Sequence, residues 1–160
     1  MSSFKIFKDY NHNKLKYSEF NKTKIPYRQL IRNELDNGSS PIIITNSIMI
    51  SLINNILSDN KYIYLQEIRF NEHIEEIDSQ EINSLVLKIK INQDNHLKKL
   101  LFYELESLNS NGLIDILKIN LLYKNMRIEV TNSGVITSET NDISDFFKKY
   151  ILPILDSQLL

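Results

Sequence analysis

The sequence predicts a mainly β domain with flanking helices. A small, curled antiparallel sheet of about five strands would follow an N-terminal arm and helix and precede a C-terminal helix. Three observations carry this prediction. Apolar and polar residues alternate over residues 61–70, 84–91 and 126–131, as in half-buried strands. Apolar residues near the C-terminus recur at helical spacing instead. The length of 160 residues and the hydrophobic content of 42% suffice for one core without disulfides or metal.

The N-terminal segment, residues 1–40, is expected to be a basic arm followed by one helix. Residues 1–23 are polar and aperiodic, which is typical of an arm with little fixed structure. Apolar residues between Pro26 and Gly38 share a helical face, with Pro suited to the first turn and Gly to the position after the end. Eight Lys and Arg against four Asp and Glu give the segment a net charge of +4. This charge indicates either a contact with an anion such as nucleic acid or a solvated leader.

Residues 41–138 are expected to form a barrel. The segment 44–57 fits a short helix or a strand, because short apolar runs are ambiguous by periodicity alone. The alternation at 61–70 and at 84–91 predicts two strands. Residues 97–108 fit either a strand or an amphipathic helix.

The clearest strand pair is 113–123 with 126–131, joined by a two-residue hairpin turn at Lys124-Asn125. A phase shift of the alternation at Ile116-Leu117 predicts a β-bulge, which would bend the sheet as small barrels require. The turn-forming residues 132–134 are expected to interrupt the second strand, which then resumes.

Residues 139–160 are expected to form a C-terminal interaction helix. Its apolar residues recur at spacings of three and one, which places them on one helical face. Pro153 removes one helical hydrogen bond and predicts a kink or a helix end near residues 150–152. The periodicity fits two alternatives, because this face could pack on the chain's own core or bind another protein. The face consists of Ile143, Phe146, Phe147, Tyr150, Ile151, Ile154 and Leu155.

The sequence lacks the motifs of common enzyme classes. It has no Cys, the histidines His12, His73 and His96 are far apart, and no glycine-rich phosphate loop occurs. The acidic residues in 72–81 fit a solvated loop better than a pair of catalytic carboxylates. We therefore expect a non-catalytic protein without metal, cofactor or small-molecule substrate. The absence of a long apolar run predicts no signal peptide and no membrane contact.

The order of the elements resembles that of the smallest subunit of replication protein A and its counterpart in the telomeric CST complex. Three stretches carry the resemblance: ITNSIMISLI at 44–53, YIYLQEIRF at 62–70, and the strand–strand–helix ending at 111–155. The resemblance implies a five-stranded OB-fold barrel in a subunit that scaffolds a single-stranded DNA-binding complex. It also implies a nuclear location at the telomere; without it, the composition indicates a soluble intracellular protein. The chain departs from the family where strand glycines are usual, at Gln66-Glu67 and at Lys118-Ile119-Asn120.

The resemblance assigns binding roles to particular residues. The seven apolar residues of the C-terminal helix would pack against a helix of a larger OB-fold subunit. An OB barrel also holds single strands on stacked aromatic rings and basic side chains. The net charge of −1 predicts that any contact with single-stranded DNA is weak or indirect. The nucleic-acid candidates, by strand position, are Tyr62, Tyr64, Phe70, Lys88, Lys90 and Arg127.

Two other functional classes also fit the sequence. One is a small α/β interaction or adaptor subunit, such as a roadblock-like protein, with no nucleic-acid role. That class is favoured if residues 97–108 form a helix. The other is a compact immunity or inhibitor protein, which the acidic composition permits.

Overall fold

The structure is a computed structural model that describes residues 1–21, 23, 25–59, 61–71 and 74–159. The described residues form an antiparallel sheet with helices, so the predicted antiparallel sheet with flanking helices is confirmed, although the sheet has seven strands and not about five. The strands are β1 (Ser2–Asp9), β2 (Lys14–Phe20), β3 (Ser39–Pro41), β4 (Ile63–Phe70), β5 (Ile116–Tyr123), β6 (Met126–Thr131) and β7 (Val135–Ser138). The helices are α1 (Tyr27–Asp36), α2 (Asn46–Leu57), α3 (Glu76–Asn92), α4 (Asn95–Ser110), α5 (Ser144–Phe146), a π-helical segment (Phe147–Ile151) and α6 (Leu152–Leu159).

The sheet is open. Its strands run in the order β2-β1-β7-β6-β5-β4, and β3 pairs with the second half of β1. Within the described residues, β2 and β4 are the two outer strands and do not pair with each other, so the sheet does not close into the predicted barrel. A single core includes residues from all three predicted segments, for example Phe4, Leu65 and Leu155.

The prediction of an unstructured arm over residues 1–23 is wrong. Residues 2–20 form the hairpin of β1 and β2, and β1 lies inside the sheet between β2 and β7. Ile6 and Phe7 are fully buried. The alternation of β1 is hidden in the sequence because Lys5 and Lys8 are also buried, which leaves no regular polar face.

The strand prediction for residues 84–91 is also wrong, because they belong to α3. Ile82, Val86 and Ile89 face the core at spacings of four and three, which is the spacing of one face of a helix. The ambiguous segment 97–108 is helical and lies in α4. The ambiguous segment 44–57 is mainly α2, whose first turn is capped where Thr45 Oγ1 accepts from Ile48 N–H at 3.3 Å.

The hairpin of β5 and β6 and the bulge are confirmed. Lys124 and Asn125 have φ of 49° and 64°, as a tight two-residue hairpin turn requires. The pairing of β4 with β5 skips Leu117, which is the predicted bulge. Residues 132–134 do more than interrupt a strand, because they reverse the chain so that β7 runs antiparallel to β6.

Helices cover the two faces of the sheet unequally. The main core lies between one face and helices α2 to α6, with α2 contributing buried residues along its whole length. On the other face, α1 covers only the end formed by β1 and β2, where Glu34 meets Lys16 at 2.6 Å and Ser18 at 3.3 Å. The rest of that face is solvated, as is common for antiparallel sheets.

Candidate interaction surfaces

The apolar face of the C-terminal helix is internal. Six of its residues are no more than 4% exposed, and Ile154 is partly buried against the same core. Phe147 stacks edge-on against Tyr17 of β2 with ring centroids 4.8 Å apart. The periodicity left open whether this face packs on the chain's own core or binds another protein, and in the structure it packs on the core. Binding a partner through these residues would require the helix to leave the core. The six buried residues are Ile143, Phe146, Phe147, Tyr150, Ile151 and Leu155.

The irregular part of this helix is fastened to α2. The π-helical turn Phe147–Ile151 ends two residues before Pro153, near the predicted irregularity. The proline has no N–H to close a regular helical turn there. The side chain of Asn55 donates to the carbonyl of Tyr150 at 3.1 Å. Asp59 accepts from the Lys149 ammonium at 2.9 Å and from the Tyr150 hydroxyl at 2.8 Å.

These contacts shift the proton affinities of both acidic groups. The hydrogen bond from Lys149, with further ones from the Lys61 backbone and Tyr150, lowers the pKa of Asp59 to about 2. Burial, together with the hydrogen bond to Asp59, raises the pKa of Tyr150 to about 12. The cluster therefore holds the C-terminal helix in place at neutral pH, and its partners are all within the chain.

The structure does not gather the predicted nucleic-acid residues into one groove. Tyr64 and Arg127 lie in one row of the open sheet face, separated by Leu122, and Arg127 pairs with Glu139 at 3.1 Å. Tyr62 precedes β4 and is exposed. Lys88 and Lys90 are on α3, so their predicted shared strand face does not exist. Phe70 packs against the core.

The open sheet face neutralises its own charges. Lys118 pairs with Glu129 at 3.0 Å, and Arg69 pairs with Glu67 at 3.2 Å. Asn120 also donates to Glu67 at 3.0 Å. A surface whose cations are already paired offers little attraction to a phosphate backbone.

Helix α1 has an apolar row on its outer side, where Phe20 of β2 contacts Tyr27 with ring centroids 5.1 Å apart. Tyr27, Ile31 and Leu35 recur every four residues along it, and Tyr27 and Leu35 are 40% and 52% exposed. These residues line a shallow depression of ≈450 Å³ together with Arg28 and Arg32. We call these five residues the α1 face.

The cations of the α1 face are available for a partner. Within the described residues, neither Arg28 nor Arg32 forms an ion pair, and Asp36 is the one carboxylate that lines the depression. The side of α1 that meets the sheet is different, because Leu30 is buried there and Glu34 is already paired with Lys16. The α1 face is thus an apolar row with positive charge along one side.

A second exposed surface lies between α2 and α4. It is a groove of ≈630 Å³ whose α4 side carries Lys98, Lys99, Phe102 and Tyr103. Neither lysine forms an ion pair with any part of the chain that the structure describes, and Tyr103 is 69% exposed. Sequence reasoning missed this groove because residues 97–108 fitted either a strand or a helix. Without that choice, the sequence could not predict which of these side chains lie on the same side.

Among the described residues, no three His, Asp or Glu side chains are placed to hold one ion. His73 and Glu72 lie outside the described residues. Within the same ranges, no helix has the length and apolar character that crossing a bilayer requires.

Comparison with known proteins identifies no relative. No family model matches the chain, and neither the curated proteins nor the solved structures include a significant match.

Proposed function

We propose that this chain is a small interaction subunit that binds an acidic, amphipathic helix of a partner protein on the α1 face. The observation that carries the proposal is the apolar row of Tyr27, Ile31 and Leu35, whose two ends are exposed, beside two arginines that form no ion pair with a described residue. The row extends over eight residue-to-residue steps, from Tyr27 to Leu35, which is about 12 Å of helix at ~1.5 Å per residue. A partner helix can cover that length with two or three apolar anchors at spacings of three and four.

The charge of the α1 face selects the partner. Arg28 and Arg32 flank the apolar row, so carboxylates on the polar side of the incoming helix would form charge-assisted hydrogen bonds at the rim. An anionic membrane is a weaker match. Two arginines on a chain with a net charge of −1 give little electrostatic attraction to lipid headgroups.

The helix over residues 97–108 supports the α/β adaptor class of subunit. Membership in a complex that resembles replication protein A or CST stays a prediction, and its support is the resemblance in sequence pattern. The same holds for the non-catalytic role and the nuclear location.

Site-specific photo-crosslinking tests the proposal. A photoreactive phenylalanine analogue replaces Leu35 in the full chain, and a matched control places it at Leu113, a 53% exposed residue between α4 and β5. Crosslinking in cells followed by peptide sequencing identifies what touches each position. We expect an adduct at Leu35 alone, within an acidic amphipathic segment of one protein.

The captured segment is then synthesised and titrated against the purified chain. Ile31→Glu should weaken binding at least about tenfold, which corresponds to about 1.4 kcal/mol. Arg28→Glu/Arg32→Glu should weaken it by a similar factor, and lysines placed in the acidic segment should restore binding to that variant. A basic or non-helical adduct, equal capture at Leu113, or binding to anionic vesicles with no protein adduct would overturn the proposal.

A second candidate function is weak binding of single-stranded nucleic acid in the groove between α2 and α4. Lysines beside the exposed ring of Tyr103 and the partly buried ring of Phe102 are a combination that can contact phosphates and stack bases. Fluorescence anisotropy of a labelled oligothymidylate tests it, with Lys98→Ala/Lys99→Ala compared against the matched control Lys88→Ala/Lys90→Ala. Loss of binding in the first variant alone supports the groove. No binding by the native chain at low salt, or equal loss in both variants, refutes it.

A further inference from the structure

Helix α3 carries a second apolar row on its outer side. Positions 77, 80, 84, 87 and 91 follow spacings of three, four, three and four, which is the seam of a coiled coil. All five are exposed, and the apolar members Ile77, Leu87 and Ile91 are 65%, 58% and 71% exposed. The opposite side of α3 already supplies the core through other residues. The outer row is therefore additional to what the fold requires.

Charges flank this row in a self-complementary order. Glu76 and Lys90 lie on one flank of the row, and Glu81 and Lys88 lie on the other. On each flank the glutamate is in the N-terminal half of α3 and the lysine is in the C-terminal half. This placement follows from about 100° of rotation per residue. All four side chains are exposed, and none forms an ion pair with a described residue. Ser84 lies midway between Ile77 and Ile91, so a small side chain marks the centre of the row.

We propose that a second copy of this chain binds here, through antiparallel packing of α3 against α3 about a twofold axis at Ser84. This arrangement sets Ile77 against the partner's Ile91. It brings Glu81 beside the partner's Lys88 and Glu76 beside the partner's Lys90, and each of these contacts occurs twice by symmetry.

The charge order selects the antiparallel arrangement. Parallel packing would bring one flank against the opposite flank, so that Glu81 lies beside the partner's Glu76 and Lys88 beside the partner's Lys90, and like charges at such positions oppose pairing. Antiparallel packing converts all of these contacts into attractive ones. A surface that is complementary to its own rotated copy is what a twofold interface requires.

The expected affinity is modest. A 17-residue helix is about 25 Å long at ~1.5 Å per residue, so the contact is smaller than a standard interface of about 1,600 Å². We expect a dissociation constant in the micromolar range, with monomer and dimer exchanging rapidly.

Analytical ultracentrifugation of the full chain, from low to several hundred micromolar, gives the first test. The native chain should move from monomer to dimer across this range. Glu81→Lys alone and Lys88→Glu alone should each weaken the dimer by about tenfold or more, because each creates two like-charge contacts. The double variant Glu81→Lys/Lys88→Glu should dimerise like the native chain. An equimolar mixture of the two single variants should form heterodimers, since both contacts in the mixed pair are attractive.

Disulfide trapping tests the orientation, and the absence of native cysteine keeps the background clean. Ile77→Cys and Ile91→Cys are prepared separately and mixed under mild oxidation. Antiparallel packing yields the mixed disulfide, whereas parallel packing yields each variant linked to itself. Circular dichroism verifies that every variant is folded. A chain that stays monomeric, a dimer insensitive to the charge changes, or self-linked disulfides would each overturn the proposal.

Discussion

The buried lysine of β1 provides a sharp test of the structure. Lys5 is 1% exposed, and its ammonium donates to the carbonyls of Ile42, at 2.6 Å, and Ser133. Among the described residues it has no carboxylate partner. Burial lowers the pKa of Lys5 to about 8 from 10.5, because the charged form loses hydration that two carbonyls only partly replace.

The sign of the effect follows from proton binding. Between pH 8 and 10.5 the unfolded chain holds the Lys5 proton more tightly than the folded chain does. Folding stability should therefore rise with pH across this window. The full difference in pKa corresponds to about 3 kcal/mol at ~1.4 kcal/mol per tenfold change in affinity. Solvent relaxation reduces this figure, so we expect a rise of about 1–3 kcal/mol.

Lys5→Met isolates this contribution. Urea unfolding is measured for the native chain and the variant at intervals from pH 7 to pH 10.5, and the difference in unfolding free energy is plotted against pH. Other groups titrate equally in both chains and cancel. The variant loses the two carbonyl contacts at every pH, so only the pH dependence is diagnostic. If the difference stays constant to within about 0.5 kcal/mol, the ammonium is not desolvated and the reasoning is refuted.

Three further predictions concern stability. A Cβ at Gly134 (φ +76°) would lie 2.2 Å from the carbonyl oxygen of Ile42, so Gly134→Ala should lower the free energy of unfolding by several kcal/mol. The control Gly112→Ala (φ +68°) has no atom within 4 Å of the new Cβ and should lower it by only about 1 kcal/mol. Thermal or urea unfolding measures both. The side chain of Asn83 accepts from the N–H of Ile68 and donates to its carbonyl, each at 2.9 Å, which covers part of the free edge of β4. Asn83→Ala should therefore lower the free energy of unfolding by about 1–3 kcal/mol and increase aggregation, measured by light scattering. Unchanged values would contradict this role of Asn83. Because the pKa of Asp59 is lowered, its contribution to folding stability is complete above about pH 4 and is lost as the pH falls toward 2. Asp59→Asn should speed hydrogen exchange in the C-terminal helix at pH 7. Equal exchange rates would show that Asp59 does not hold this helix in place.

Strands with one solvated face could be predicted from the sequence, whereas a strand that is buried on both faces could not. The alternation of β6, in which Ile128 and Val130 face the core and Arg127 faces solvent, identified it as a strand. Strand β1 is buried along most of its length, and its lysines are buried with the rest. A rule that places lysine outside therefore assigned the segment to an arm.

The C-terminal helix shows why a regular apolar face does not locate a partner. Its spacing correctly predicted a helix, but the same spacing fits burial on the chain's own sheet. Deciding between them required the position of β1 and β2, since Tyr17 of β2 covers Phe147. That hairpin was absent from the predicted architecture, so the available core surface was underestimated.

The wrong prediction for residues 84–91 has a specific cause that bears on function. The alternation came from Leu87, Ile89 and Ile91, yet only Ile89 faces the core, and its two neighbours point to solvent. An amphipathic surface helix usually has polar residues on its outer side, and Leu87 and Ile91 depart from that pattern. These exposed apolar residues on the outer side obscured the helical period in the sequence. Sequence patterns are expected to conflict with the fold at functional positions. The residues that produced the false strand are thus the ones that we assign to the contact with a second copy.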